Sequence, residues 1–374
     1  MRCRQLCDGL GVPFLVREVV VRRDHPGGLE AAAREARHGA LQEDAGGACL
    51  VLAHHQGDQA ETVLFRVLRG AGMRGAGGMR VWDTRAGGVA IWRPLLDVPR
   101  RDLQAYADEH GLLWVEDPSN QDPRFSRNFL RLEVLPRLEA RQAGASAALA
   151  RTGRLCAEAA DLLDDLADLD LAAMGGTDDH RFNHSMALGL TSPRLRNVLR
   201  RVLHGAGALM PDEERLREAE RQMRQETAAA GWRLVLGSHA LCVYRDAWWI
   251  EPAGLPVMAV PQVWAGEPRL AWAGGAVAFN AAVGQGIAAS MLHGVCCEIR
   301  PRVGGERLRL HSDGPARGIK NLLQEAAIPP WRRRSLPLLW VEGRLAWVAG
   351  VGVDVAFRCP PGEPGVVPDW SATA

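Results

Sequence analysis

The chain has 374 residues, enough for two or three domains at roughly 150 residues each. Hydrophobic residues make up 47% and charged residues 24%, which excludes a disordered tail, a collagen and a disulfide miniprotein. With 45 basic and 44 acidic residues the formal net charge is +1, so nucleic-acid binding would have to come from a local patch. Lys320 is the single lysine; the other 44 bases are arginine, which suits bidentate phosphate contact. The eight cysteines form no C-x-x-C pair, which argues against a zinc ribbon or a thioredoxin-type motif. Most of them read as buried small hydrophobes.

Met1 to Gly11 carries Arg2 and Arg4 but no apolar core of the signal-peptide kind. Val12 to Val21 reads as a strand entered through Gly11-Val12-Pro13, and Leu29 to Leu41 as a helix. Cys49-Leu50-Val51-Leu52-Ala53 is a short apolar run, the pattern of a strand buried on both faces. A helix follows from about Asp58 to Arg69, with Val63, Leu64, Val67 and Leu68 at helical spacing. Strand then helix, repeated, predicts a parallel α/β domain. Gly70 to Gly78 is a glycine-rich loop. Arg101 to His110 reads as a helix closed by Gly111, and Leu112 to Val115 as a strand.

Ala143 to about Leu171 reads as one long helix. Its acids Glu158, Asp161, Asp164, Asp165 and Asp168 form a solvated face, opposite Leu155, Leu162, Leu163, Leu166 and Leu169. Pro193 to Leu203 and Pro211 to Gln225 are two further helices. After Gly231 the sequence turns strand-like, and eight of the twelve tryptophans lie from Trp248 onward. Domain boundaries are placed near 142 and near 255, the latter at Pro252, Gly254 and Pro256. The uncharged stretch Leu270 to Leu292 is too rich in Ala and Gly for a membrane span and reads as short strands turning at Gly274-Gly275 and Gly284. The protein is read as cytoplasmic, with no membrane partner.

The chemistry concentrates in Ala53-His54-His55-Gln56-Gly57-Asp58-Gln59-Ala60-Glu61-Thr62, directly after the apolar run. Ligands of open parallel sheets bind beyond the carboxyl ends of the strands, which puts His55 at that mouth. Asp58 and Glu61 are three apart on the following helix and share a face. Two such acids suit an ammonium group or a magnesium ion; equally, they form an acidic first turn that complements the helix dipole.

This element resembles the A-H-x-x-D-D-Q-x-E-T signature of tRNA(Ile)-lysidine synthetases, which are N-type ATP pyrophosphatases of the PP-loop class. Glu30, Ala33, Arg34 and Arg37 resemble the family's E-x-x-A-R-x-x-R-Y helix, with His38 in place of tyrosine. Arg69-Gly70-Ala71-Gly72 through Gly75 and Met79 resembles its R-G-x-G loop, and Arg93-Pro94-Leu95-Leu96 its R-P-L-L. Trp114-Val115-Glu116-Asp117-Pro118-Ser119-Asn120-Gln121-Asp122, then Arg127-Asn128-Phe129-Leu130-Arg131, is the strongest match. Ile328-Pro329-Pro330-Trp331 with Pro337-Leu338-Leu339 resembles the terminal domain. Two departures stand out. Gly57 replaces the first aspartate of the D-D pair, and no S-G-G-x-D-S motif occurs.

The resemblance implies a parallel-sheet PP-loop (adenine nucleotide alpha hydrolase-like) domain over 1–142. The missing motif adds the expectation that this domain lacks its first βαβ unit, and that the chain by itself binds ATP poorly and makes no lysidine. A helical tRNA- and substrate-binding domain over 143–255 and a small α+β tRNA-binding domain over 256–374 are expected to follow. The implied reaction joins free L-lysine to C2 of the wobble cytidine of tRNA(Ile), with ATP as cosubstrate and Mg2+ as cofactor. Asp58, Glu61 and His55 are the implied catalytic residues, with Asp58 also on the metal. Arg34, Arg37, Arg127, Asn128 and Arg131 are the implied substrate-binding residues. Arg69, Arg194, Arg200, Arg332, Arg333 and Arg334 are the implied tRNA contacts, the arginines around Arg194 to Arg201 forming a solvated basic face. No residue is assigned to an ATP phosphate loop. Trp331 either stacks on a base or anchors a core. A homodimer is a further expectation. Two alternatives compete with the ligase: a non-catalytic tRNA-binding remnant, and another PP-loop enzyme such as a tRNA thiolase, which commonly uses paired cysteines.

Overall fold

The helix over Gln56–Leu68 forms where its apolar positions repeat every three to four residues, and its first turn is closed by a reciprocal cap. Around it, a computed structural model describes residues 2–24, 28–84, 89–114, 121–176, 180–225, 230–254 and 260–372. The chain divides into two compact units, Met1–Asp165 and Leu166–Ala374.

In the first unit the expected helices lie at Gly28–Ala45, Gln56–Leu68 and Arg100–Glu109. The glycine loop contains one short helical turn, Met73–Ala76. The apolar run Cys49 to Ala53 contracts to the strand Leu50–Val51, which pairs parallel with Ile91–Trp92. Ile91–Trp92 pairs antiparallel with Trp82–Asp83, so the described sheet is mixed. Val51 is exposed, so this strand is not buried on both faces as expected. The strand expected over Val12 to Val21 does not form. Those residues are irregular, and their apolar side chains face outward, Leu15 at 65% and Val20 at 90% exposure. β-Branched residues favour a strand only when a neighbouring strand takes their backbone groups, and among the described residues none does. The strand expected over Leu112 to Val115 is irregular as far as Trp114, and 115–120 lie outside the described residues.

The long helix runs Ala145–Ala173, but the face expected to be buried is not the one that is. The leucines are outside, Leu162 at 70% and Leu169 at 69% exposure, while Ala150, Ala160 and Ala167 are buried. Small residues let this helix approach its neighbours closely: a Cβ on Gly153 would sit 2.6 Å from Val63 Cγ2. Its acids are not simply solvated. Asp161 takes Arg80 at 2.8 Å, Asp164 pairs with Arg74, and Asp168 takes Arg201 at 2.8 Å.

In the second unit, helices Ser192–Gly205 and Glu213–Gln225 pack Leu195, Leu199, Leu203, Leu216 and Met223 into one core. The segment expected to be helical is in fact α+β. A four-stranded antiparallel sheet, in the order Phe182–Asn183, Ala247–Pro252, His239–Tyr244, Trp232–Leu236, contributes Leu241, Val243 and Trp248 to that core. The C-terminal part is α+β, as expected. A five-stranded and a four-stranded sheet, with the helix Ile319–Glu325, enclose a second core around Trp272, Ile299, Leu323 and Leu339. The glycine turns hold, with φ of 73° at Gly274 and 68° at Gly284. Cysteines depart from expectation: only Cys242, Cys297 and Cys359 are buried, and Cys3, Cys49 and Cys296 are exposed. No helix among the described residues is long and apolar enough to cross a membrane.

Candidate active site

His55 caps the Gln56–Leu68 helix. Its Nδ1 accepts from Gly57 N–H at 3.0 Å, and Asp58 Oδ2 accepts from His55 N–H at 2.9 Å. With Nδ1 committed as an acceptor, the proton of a neutral His55 ring sits on Nε2, 3.7 Å from Asp58 Oδ2. One turn on, Glu61 is 5% exposed. Burial pushes its carboxyl up to about 7, although Arg131 works against that shift.

Arg131 Nε lies 3.9 Å from Glu61 Oε1, and its NH2 donates to Asn128 Oδ1. Asn128 Nδ2 donates to Asp122 O at 2.9 Å. Arg131 occupies a single turn of π-helix, Leu130–Val134, between two α-helical stretches; such bulges re-aim a side chain and recur at functional sites. Sequence-distant Asp122, Asn128, Arg131 and Glu61 are thus brought into one chain of contacts. Asp58 belongs to it electrostatically, adding to the upward push on Glu61.

Arg34, half-buried, lies in a field of like charge. Burial first, then Arg127, Arg37, Arg66 and Arg93, lower its pKa. Arg34, His38, Arg66, Met79, Asp83 and Arg93 line a cavity of about 290 Å3. Arg37 is exposed, and nothing is described of the Glu30 side chain. Arg69 is exposed too, its guanidinium 5.2 Å from the centre of the Phe65 ring.

Gln59 and Arg66 hold the glycine loop beside this site, and His54 lies half-buried next to them. Gln59, buried, accepts from Met79 N–H at 2.8 Å and donates to Met79 O at 2.9 Å, clamping the end of the glycine loop. Arg66 donates to Gly75 O at 3.1 Å and Gly78 O at 2.7 Å. His54 is pushed down to about 4, first by burial and then by Arg93, Arg34 and Arg37, so its ring is neutral at pH 7. The signal for Gln59 and His54 was their place in the A-H-x-x-D-D-Q-x-E-T pattern. For Arg66 there was none.

Gly78 has φ of 66°, and a Cβ there would lie 2.8 Å from the Gln59 amide. Gly78→Ala is therefore expected to break the clamp and destabilise the protein by about 1–3 kcal/mol. Gln59→Leu should release the same loop by leaving the Met79 backbone groups unpaired. Urea unfolding of both variants checks this, and a change within experimental error for either would contradict the clamp.

The basic face around Arg194 to Arg201, expected to contact tRNA, is not simply solvated. Arg194 pairs with buried Asp170, Arg196 takes Glu220 at 2.6 Å, and Arg200 takes Glu213 at 2.5 Å. Arg332 donates to Glu251 at 2.6 Å, and Arg333 to Ile328 O at 2.8 Å and to the Tyr244 hydroxyl at 2.9 Å. Only Arg334 of that run is exposed. Trp331 donates to Glu251 at 3.1 Å and packs on Trp249, which makes it an anchor rather than a free base-stacking platform.

Family models match three stretches: a PP-loop domain over residues 1–138, a TilS substrate binding domain over 188–249 and a TilS substrate C-terminal domain over 297–370. A tRNA(Ile)-lysidine synthase of Aromatoleum aromaticum is 45% identical, covering 98% of this chain and 85% of the relative. The chain belongs to the tRNA(Ile)-lysidine synthase family. An Azoarcus tRNA(Ile)-lysidine synthase is 43% identical over 98% of the chain and 80% of its own length, and one from Nitrosomonas europaea is 37% identical over 98% and 81%. The PP-loop match covers the His55–Asp58–Glu61 helix turn and the Asn128–Arg131 bulge, so the family's ATP-binding domain carries the constellation described above.

The match to the Glu116-Asp117-Pro118-Ser119-Asn120 turn falls outside the described residues. Among the described residues no cluster of three or more His, Cys, Asp or Glu side chains could hold a metal. With Gly57 where the lysidine synthase family has an aspartate, Asp58 is the single carboxylate of the pair. One of its oxygens already accepts from His55 N–H.

Proposed function

We propose, against the expectation drawn from the missing motif, that this chain makes lysidine: it activates the C2 carbonyl oxygen of the wobble cytidine of tRNA(Ile) with ATP, releasing pyrophosphate, and then joins free L-lysine to C2 with loss of AMP. The observation that carries this is the coincidence of high-coverage likeness to tRNA(Ile)-lysidine synthases with a buried carboxylate titrating near neutrality beside an arginine and a second carboxylate. The non-catalytic alternative is not favoured, because that likeness runs through the whole catalytic helix. The third alternative has no paired cysteines to support it.

The ε-ammonium of lysine must lose a proton before or as it attacks C2. Glu61 and Asp58 hold the ammonium. Its charge draws Glu61 toward the ionised form, and a carboxyl that otherwise titrates near 7 takes the amine's proton at little cost. Arg131, steadied by Asn128, holds Glu61 in place and offers its guanidinium to the lysine carboxylate. His55 presents its Nε2–H toward the activated base. Arg34, Arg37 and Arg127 supply positive potential for phosphate groups. Asp58 would be the residue to hold a Mg2+ ion, and the ion would neutralise phosphate charge. The phosphate-cradling S-G-G-x-D-S signature does not occur in these 374 residues, and no residue is assigned to it.

A three-part division at 142 and 255 is supported by the three family matches, one falling in each part. A cytoplasmic location suits a tRNA substrate. The exposed Leu155, Leu162 and Leu169, seven residues apart on one helix, support a homodimer seam.

The test is lysidine formation from tRNA(Ile), ATP and labelled lysine. Asp58→Ala should lower kcat and kcat/KM together by at least a hundredfold, because it removes a group used in the transition state. Gln56→Ala, which gives up only a 3.4 Å bond to Asp97 O, should cost less than threefold. Equal activities would remove Asp58 from the site.

A further inference from the structure

A cavity of about 480 Å3 is lined wholly by residues of the second unit. Its lining includes Trp347, which is nearly buried, and Trp370, together with Gly350, Gly352, Ala326, Arg181 and Arg332. We propose that this cavity takes one unstacked nucleotide of the bound tRNA, its base against the tryptophans and its phosphate on Arg181. The proposal rests on the reading of the chain as a tRNA enzyme and adds where a part of that RNA is held.

Three observations converge on a nucleotide. The volume falls within the range of sites that enclose small organic ligands and exceeds what a lone ion or water would need. Two aromatic residues line the cavity, and single-stranded RNA bases are recognised by stacking on aromatic side chains. Arg181 stands with its guanidinium 4.5 Å from the centre of the Trp249 ring. A guanidinium held against a ring keeps N–H groups with which to donate to an anion. Arg332, by contrast, is already matched by Glu251, so the lining carries one committed cation and one that is held but not neutralised by that carboxylate.

Glycine makes part of the lining. Gly350 has φ of 71°, and a Cβ on it would lie 2.8 Å from Ile328 Cδ1, itself a lining residue. The site is therefore shaped by residues that leave no side chain where a base would lie. Asp369 at the edge disfavours a second phosphate close by, which suits one nucleotide entering from a strand rather than a polyphosphate.

The test uses the whole chain and tRNA(Ile) in filter binding over a salt series. Ala326→Trp fills the cavity from an exposed lining position without removing core packing. It should weaken tRNA binding at least tenfold with no change in the dependence of log K on log salt, because no charge is lost. Arg181→Gln should weaken binding and flatten that slope by roughly 0.7 units, the loss of one phosphate contact to a single strand. Should Ala326→Trp fail to fold by circular dichroism, Arg181→Gln decides alone. Binding of both folded variants within twofold of the parent would overturn the proposal. So would saturable binding of free AMP that Ala326→Trp abolishes while tRNA binding stays intact, since the occupant would then be a free nucleotide. Lysidine formation by the parent is assayed separately. If the parent makes none, the functional reading fails whatever the cavity binds; if it does and the variants bind normally, only the cavity assignment fails.

Discussion

Glu61→Gln is expected to abolish lysidine formation, with kcat/KM for lysine falling at least a thousandfold, and at the same time to make the protein more stable at pH 8. The two effects have one cause. Burial raises the Glu61 carboxyl to about 7 from an ordinary value of 4.5, so the native state holds its proton after the unfolded chain has released it. The stability this group contributes is complete below pH 4.5 and is lost as the pH rises through 7. A shift of that size corresponds to about 3 kcal/mol at most, and nearby Arg131 lessens what the ionised form costs. Gln has the shape of the protonated acid and no charge to bury, so it escapes this loss. Thermal melts from pH 4 to pH 8 should show the parent losing stability against Glu61→Gln across pH 4.5 to 7, and the two running parallel above. Parallel curves throughout would mean that Glu61 is not destabilised in the folded protein. Full activity in the variant would mean that the carboxylate takes no proton.

What the sequence made legible was local. The Gln56–Leu68 helix, its acidic first turn, the long Ala145–Ala173 helix and the glycine turns at Gly274 and Gly284 each follow from spacing within one segment. The family motif also puts Asp58 and Glu61 one turn apart at the start of this helix, which His55 caps. What stayed hidden depends on partners far along the chain. Gln59 meets Met79 twenty positions on, Arg131 meets Glu61 across seventy, and Arg194 meets Asp170 across twenty-four. Periodicity cannot tell a solvated charge from one that faces an opposite charge on another helix. That is why the acids of the long helix and the arginines of Ser192–Gly205 looked like open surfaces. The leucine stripe misled for a related reason. Hydrophobic spacing marks a face that can be buried, but close packing through alanine and glycine buried a different one.

Glu251→Ala is expected to be among the most destabilising single changes in the second unit, costing about 3–5 kcal/mol. Its carboxylate, nearly buried, accepts from Arg233 at 3.2 Å, Trp249 at 3.0 Å, Trp331 at 3.1 Å and Arg332 at 2.6 Å. Burial alone would raise its pKa, but the donors at Trp249 and Arg332 more than offset this, so the net shift is downward. It therefore stabilises the fold above the ordinary glutamate range, and that contribution is lost as the pH falls through its folded value. Truncation leaves two guanidiniums and two indole N–H groups short of an acceptor, which is where the large cost arises. The same geometry changes what the Arg332-Arg333-Arg334 run can be used to test. Replacing all three with Gln would loosen Trp331 and the Tyr244 hydroxyl contact, so weaker tRNA binding would then report damaged packing. Arg334→Gln alone, at an exposed position, should change stability by less than about 0.5 kcal/mol. If Arg334 meets a phosphate, the salt dependence of tRNA binding should still flatten by roughly 0.7 to 0.9 units. Urea titrations of Glu251→Ala, Arg332→Gln and Arg334→Gln separate the cases. A loss at Arg334 as large as at Glu251 would show that the run is a packing element throughout, and a negligible loss at Glu251 would show that its four donors find water as readily as the carboxylate.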